Sequence, residues 1–391
     1  MEQPHRLYAA PAPLDCVIVG AGLAGSLVAL ALLDRDPAAR VVLLERGRSV
    51  GGNHTWSFHA GDVPVEASGV VEPLVAHRWP GYDVAFEGFE RAVGSPYAAV
   101  TSARLDEVVR ARFAAAPRAE LRTGADATSV GRHHVDLLSG ERLRATLVVD
   151  ARGPRLGQQG PCAYQKFVGL ELRLASPAKR ALPMLLDARV AQTGGFRFFY
   201  TLPLAPDRVL VEDTYYSEGA ALDVGAVQAE VLAYAGAQGL KVAAIERREA
   251  GVLPLPLVAG APPDPDGPLA VGFGAGLLHP TTGYSFPVAV RVALHVARAG
   301  VEAARGEGWA RLCAQHERQA VFFRLLNRLL FQACAPADRH RVLARFYRLP
   351  EPTIARFYAM TTTTTDRARI VCGRPPQGLS LRAALAKGLE T

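Results

Sequence analysis

The chain has 391 residues, 49% apolar and 21% charged, which is globular composition with room for two to three domains at about 150 residues each. That excludes a disordered tail, a fibre and a small disulfide-stapled scaffold. The net charge of +7 (44 Lys and Arg against 37 Asp and Glu) is unevenly placed: residues 311–391 hold 14 basic and 5 acidic side chains, leaving about −2 for the first 310. A basic terminal fifth whose arginines alternate with Leu, Phe and Ala points to an anionic membrane surface, and no nucleic-acid module is visible. Cys16, Cys162, Cys313, Cys334 and Cys372 stand far apart with no C-x-x-C pair, so neither a metal site nor a disulfide framework is expected, and a reducing cytoplasm is the default. The first residues lack the basic and apolar regions of a secretory signal, so export is not expected.

Along the chain, Cys16–Leu33 carries no charge and is long enough to be tested as a membrane span. Its β-branched start (Val17, Ile18, Val19), its glycines at Gly20, Gly22 and Gly25, and the helix formers that follow instead read as a buried strand, a tight turn and a helix. Val41–Glu45 reads as a second buried strand. Tyr97–Phe113 reads as a loop and then a helix, and Val135–Asp150 as a hairpin turning at Ser139-Gly140 and ending in a buried strand. From Lys166 to Thr214 the alternation of apolar and polar residues predicts a large, mainly antiparallel sheet. A strand at Leu269–Gly274, a glycine-rich turn and a helix from about Ser285 to Arg305 come next; the remainder reads as helical, with breaks at Pro350 and Pro352.

Gly20-x-Gly22-x-x-Gly25 lies between strand and helix, and Glu45 closes the next strand 25 residues after Gly20. The first glycine allows the turn, the second lets backbone amides approach a pyrophosphate at a helix N-terminus, and the third allows close helix packing. Glu45, followed by Arg46, suits an unphosphorylated adenosine ribose. Two later turns, Asp150-Ala151-Arg152-Gly153 and Gly272-x-Gly274-x-Gly276, each follow a strand, as in flavoproteins of the two-dinucleotide-binding type. The expected cofactor is therefore FAD in a Rossmann-type α/β fold. Phe273 and Gly274 stand where many such proteins carry Gly-Asp for the ribityl chain.

Four further segments are more specific: Gly51-Gly52-Asn53-His54-Thr55-Trp56-Ser57, Leu210-Val211-Glu212-Asp213-Thr214, Gly251-Val252-Leu253-Pro254-Leu255-Pro256 and His279-Pro280-Thr281-Thr282-Gly283-Tyr284-Ser285. Together they make the chain resemble the bacterial lycopene β-cyclase family from about residue 15 to 360. The resemblance implies an isomerase that closes the ψ-ends of lycopene to β-ionone rings, giving β-carotene by way of γ-carotene. It also implies that FAD must be reduced, with NAD(P)H as electron source, and that no net redox change occurs.

The chemistry asks for an unusually effective acid, because an isolated C=C must be protonated before the neighbouring double bond attacks the cation. Glu212 or Asp213 could be held neutral on a strand rich in Val and Leu, and adjacent strand residues point to opposite faces. By similarity to the family the acid is assigned to Glu212, with Asp213 turned away as a supporting hydrogen-bond partner. His54 and His279 are candidates to position the flavin or relay the released proton, and Arg104 a candidate pyrophosphate contact. Thr282 and Gly283 complete the expected cofactor set.

The expected organisation is an FAD-binding part at 14–160, a mainly β substrate domain at 161–265, an FAD-domain return at 266–310 and a basic helical region at 311–391. In the last region, Arg324, Asn327, Arg328 and Gln332 form a narrow polar stripe on Gln319–Ala335. A core helix would show the same pattern; the alternative is a helix lying in headgroups, which would make the protein peripheral on the cytoplasmic face of the membrane and let the hydrocarbon enter from the bilayer. The competing readings are an FAD monooxygenase or prenyl reductase of the same fold, and a non-catalytic prenyl-binding escort.

Overall fold

A computed structural model describes residues 14–153, 160–261 and 264–372. Strand Leu14–Val19 is hydrogen-bonded in parallel to Val41–Glu45 on one side and to Arg142–Asp150 on the other, with Glu120–Thr123 and Leu269–Ala270 extending the parallel set. Helices cover one face of this part of the sheet and the strands of residues 127–148 fold over the other, so Cys16, Val17, Ile18 and Val41 are fully buried, which is why the sequence shows an unbroken apolar run instead of alternation. The helix Leu23–Arg35 is buried nearly all round, packed against Phe286–Ala303. The expected hairpin is formed by His134–Leu137 and Arg142–Asp150.

A second sheet runs, in spatial order, through Val242–Pro256, Cys162–Leu174, Arg208–Ser217, Phe196–Ala205, Met184–Asp187, Tyr82–Phe86 and Phe89–Val93. It is antiparallel except where Met184–Asp187 meets Tyr82–Phe86. Its last two strands come from residues 82–93, so the segment expected as the first part of the FAD-binding domain, 14–160, also completes the second sheet. Tyr97–Thr101, expected as loop, is a strand between Thr55–His59 and His77–Trp79 in a third, small sheet. Its four buried residues Tyr97–Val100 lack the polar–apolar alternation that marks a half-exposed strand.

One face of the second sheet is covered by the helix Val224–Ala237, whose Val231 and Ala235 pack on Leu170, Val209 and Val211. The other face looks toward the nucleotide sheet. The C-terminal helices Glu307–Gln332, Arg339–Phe346 and Glu351–Tyr358 close that space from a third side. Pro350 and Pro352 mark the start of the last of these, where a missing N–H does no harm. In Glu307–Gln332 three of the four stripe residues are engaged inside the protein and Gln332 is exposed: Asn327 Nδ2 donates to the carbonyls of Pro256 and Pro280 at 2.9 Å each, Arg328 to Leu257, and Arg324 pairs with Glu317. Asn327 and Arg328 thus tie the helix to the end of the second sheet and to the Pro280 turn, and Arg324 is braced by Glu317 within the helix, so these three side chains follow the core-helix reading and are not turned to headgroups.

Candidate active site

A single cavity of about 780 Å³ runs from the glycine turn after the first strand to the inner face of the second sheet. Its polar end is walled by Gly20, Gly22, Glu45, Arg46 and Arg152, its far end by Trp56, Phe196, Phe198, Tyr200, Tyr216 and Tyr358. Residues of three C-terminal helices, including Leu330, Leu343, Phe346 and Phe357, also reach it, so the part of the basic region between Leu330 and Tyr358 helps to build the chamber; 373–391 lies outside the described residues.

At the polar end, Gly20 adopts φ +101°, a region open to glycine, and a Cβ there would lie 2.8 Å from the Ala151 carbonyl oxygen. Gly25 lets the helix touch the strand end, since a Cβ would lie 2.0 Å from the Gly20 oxygen. Gly22 opens the helix with no side-chain cap, and a Cβ there would meet nothing within 4 Å, so the space beside the first helical amides is free. That combination fits a dinucleotide pyrophosphate. Glu45 Oε2 accepts from Ala21 N at 3.0 Å and Oε1 from Gly47 N at 2.8 Å, which fixes the carboxylate at the cavity edge beside the turn. Gly272, Thr282, Gly283 and His54 also line the cavity.

Several expected contacts lie elsewhere. Arg104 donates to the Pro73 carbonyl and to Glu107, and does not line the cavity, because its helix is capped by Thr101 and turns the side chain outward. Asp150 is clasped by Arg152 at 2.9 and 2.6 Å, so Ala151, Arg152 and Gly153 present themselves to the cavity instead. Gly274 packs against the Arg152 carbonyl, where a Cβ would come to 2.7 Å, and Gly276 is the left-handed end of the turn at φ +68°; both shape the turn without lining the cavity. His279 is fully buried: Nε2 donates to the Phe357 carbonyl at 3.0 Å while Nδ1 accepts from Thr281 N at 3.2 Å. Burial pushes its pKa down to about 3. Both ring nitrogens are engaged and the ring is outside the cavity wall, so His279 pins the Thr281–Ser285 turn and does not relay a proton. His54 does reach the cavity, its pKa lowered by burial and by the Arg247 charge.

The alternation at Glu212-Asp213 holds. Asp213 is fully buried on the helix-covered face, where Arg197 grips it with Nε at 3.0 Å and Nη2 at 2.7 Å and the Tyr215 hydroxyl donates at 2.9 Å. Glu212 is on the opposite face and lines the cavity. Burial first, then the charge of Glu249, pushes its pKa from its ordinary 4.5 up to about 8, against the hydrogen bond that the Thr214 hydroxyl donates to Oε1 at 2.6 Å. Near neutral pH this carboxyl holds its proton. It is therefore an acid aimed into an aromatic chamber, able to protonate an apolar guest.

Other groups of the site are partners that the sequence did not connect, some of them inside the specific segments and some outside. The Tyr200 hydroxyl donates to Ser57 Oγ at 2.7 Å and lies 3.3 Å from the Tyr97 hydroxyl. Tyr284 donates at 2.5 Å to Asp62, whose pKa burial raises to about 6. Arg247 joins Asn53 (3.1 Å), Thr55 (2.7 Å), Glu171 (3.0 Å) and Glu249 (2.6 Å), tying the G-G-N-H-T-W segment to the second sheet. The Asn-His-Thr run was the visible half of that clamp; the Arg247 half sits in an unremarkable R-R-E.

The family model for lycopene cyclase proteins matches residues 15–384. The lycopene beta-cyclase of Pantoea ananas is 41% identical over 379 residues, covering 96% of each chain. That of Pseudescherichia vulneris is 40% identical, covering 95% of this chain and 97% of the relative. Among solved structures, a geranylgeranyl bacteriochlorophyll reductase-like protein from Thermoplasma acidophilum superposes with TM-score 0.61 at 15% identity, covering 96% of each chain. A probable FAD-dependent monooxygenase from Pseudomonas aeruginosa gives 0.58 at 18% identity, covering 82% of this chain and 97% of its own. These last two share the fold.

Proposed function

Because the chain belongs to the lycopene cyclase family, we propose that it is a lycopene β-cyclase, an isomerase that closes the ψ-ends of lycopene to β-ionone rings and uses FAD in its reduced form. The observation that carries this reading is Glu212, a carboxyl held protonated near neutral pH at the wall of an aromatic chamber continuous with a dinucleotide-type turn.

The residues of the chain divide the work. Gly20, Gly22 and the uncapped helix start would hold the pyrophosphate, Glu45 and Arg46 the adenosine, and Ala151–Gly153, Gly272, Thr282 and Gly283 the inner part of the cofactor. Thr214 fixes Glu212 Oε1, leaving the other oxygen to deliver the proton to the terminal double bond of the substrate. The faces of Trp56, Tyr200, Tyr216 and Tyr358 stabilise the tertiary cation, and the apolar walls keep out water that would trap it as an alcohol. The Glu212 carboxylate left behind is placed to accept the ring proton, so the acid is regenerated with no change in oxidation state. Reduced FAD, when bound, supplies an electron-rich ring whose charge favours a nearby cation in a low-dielectric site. NAD(P)H is the proposed electron source, following the family resemblance.

The protein would work as a peripheral protein on the cytoplasmic face of the membrane, since its substrate dissolves in lipid. Among the described residues no helix is long and apolar enough to cross a bilayer. On Glu307–Gln332, Val321 is 54% exposed and Leu325 and Leu329, spaced along the same face, are partly exposed beside Arg318, which suits a surface contact.

The test is anaerobic incubation with lycopene and photoreduced FAD in D₂O. One deuterium per ring at the CH₂ beside the quaternary carbon, with reductant required but not consumed, is expected. Oxygen incorporation, or one NAD(P)H oxidised per turnover, would instead identify a monooxygenase or reductase. Flotation with anionic vesicles, weakened by Val321→Glu, tests the surface.

A further inference from the structure

The second sheet places two acids in one row. Gly169, on Cys162–Leu174, is paired with Glu212 on one neighbouring strand and with Glu249 on the other. Residues in such a row project from the same face. The central position has no side chain: a Cβ at Gly169 would lie 2.9 Å from Glu249 Cγ and 3.1 Å from its Oε1, so Glu249 leans across the glycine toward Glu212. The lean is held from behind by Arg247 Nη1, 2.6 Å from Oε2, and by the Thr55 hydroxyl at 3.4 Å. Glu249 is 5% exposed and does not line the cavity, so it stands behind the wall that Glu212 faces.

We propose that Glu249 is a positioning residue: through Gly169 it sets its negative charge against Glu212 and keeps the proton on the acid that faces the substrate. This rests on the reading of Glu212 as the proton donor. Two carboxylates in one buried row cannot both ionise cheaply, and the asymmetry of partners decides which one does. Arg247 touches Glu249 and Glu171, whereas the hydrogen-bond partner of Glu212 is the neutral Thr214 hydroxyl. Burial pushes both acids up and the Arg247 charge pulls both back, but Arg247 donates a hydrogen bond to Glu249 alone and reaches Glu212 only through its field. The remaining groups around Glu212 do not supply a closer cation: Tyr200 and Tyr216 are neutral and phenolic, and Asp213 faces away with Arg197. Around Glu249 stand Arg247, Glu171 and Thr55.

The test follows the infrared C=O band of the protonated carboxyl in the FAD-loaded protein as pH is raised, assigned to Glu212 by its loss in Glu212→Gln. In Glu249→Gln the midpoint should fall by about one pH unit or more, and the alkaline limb of kcat should move with it while KM stays. Glu249→Asp, which keeps the charge, should bring the midpoint most of the way back. Where Glu249→Gln does not fold, Gly169→Ala displaces Glu249 from the row with every charge kept, and should lower the midpoint likewise. A midpoint equal to wild type in the folded variant overturns the proposal. Persistence of cyclisation in Glu212→Gln would sink the donor reading instead, and the band shift in Glu249→Gln reports independently of it.

Discussion

Glu212→Gln should inactivate the protein and yet stabilise it, increasingly so as pH rises. Burial and the charge of Glu249 raise the folded-state pKa from 4.5 to about 8, so on raising the pH the unfolded chain releases this proton first. Stability therefore falls through the window from 4.5 to about 8 and is flat above it. At 1.36 kcal/mol per pH unit the full window is worth about 5 kcal/mol, of which roughly 3 kcal/mol is lost by about pH 7 and under about 1 kcal/mol by about pH 5. Water in the cavity screens the group and reduces these figures. Glutamine has the same shape and stays neutral, so the variant escapes the loss. The check is guanidinium unfolding of both proteins at steps from about pH 5 to about pH 9, beside a cyclisation assay. The amide cannot release a proton, so activity should vanish while the stability gap widens with pH. Parallel stability curves, or retained cyclisation, would refute the reasoning.

Gly22→Ala should fold as the wild type, because a Cβ there meets nothing in the protein within 4 Å, but should lose bound FAD by blocking backbone approach; flavin absorbance after purification and the melting temperature of the flavin-free protein separate the two effects. Gly25→Ala, whose Cβ would come to 2.0 Å from a backbone oxygen, should instead fail to give folded protein, read as loss of soluble yield. Arg197→Met leaves Asp213 fully buried without its cation and should destabilise by about 3–5 kcal/mol in denaturant titration, since a lone buried charge is not compensated. His279→Ala should lower stability by about 2–4 kcal/mol through lost packing and hydrogen bonds. It should leave the pH profile of turnover where it was, because a ring with pKa near 3 is neutral throughout the working range.

Much of the nucleotide half is legible because its signals are local. A β-branched run, three glycines at fixed spacing and a helix of strong formers each report on the residues beside them, and the fold needs nothing else to place Leu14–Arg35. Legibility fails where a side chain's fate depends on what is packed over it. Arg104 and Asn327 have the spacing of surface or ligand-facing residues, but their partners, Pro73 and the carbonyls of Pro256 and Pro280, belong to other elements. His279 was the same kind of error: a histidine in a specific motif invites a chemical role, and the carbonyl of Phe357 that fixes it is supplied by a distant helix.

The pair Glu212-Asp213 divides legible from illegible within two residues. The pleat alone dictates that they diverge, so the sequence suffices to say that the two acids face opposite sides of the sheet, and the structure gives Glu212 to the cavity. Burial does most to keep the proton on the first of them, and the further push from Glu249 is set across the strands, in a row whose three members lie on Cys162–Leu174, Arg208–Ser217 and Val242–Pro256. Register is a property of the assembled sheet, and a glycine in the middle of a strand otherwise only weakens it. Gly169 has a reason to be there because its missing side chain is the space through which one carboxylate acts on another. A larger residue at that position would leave Glu212 facing the same chamber, from the same strand, with its proton released at a lower pH.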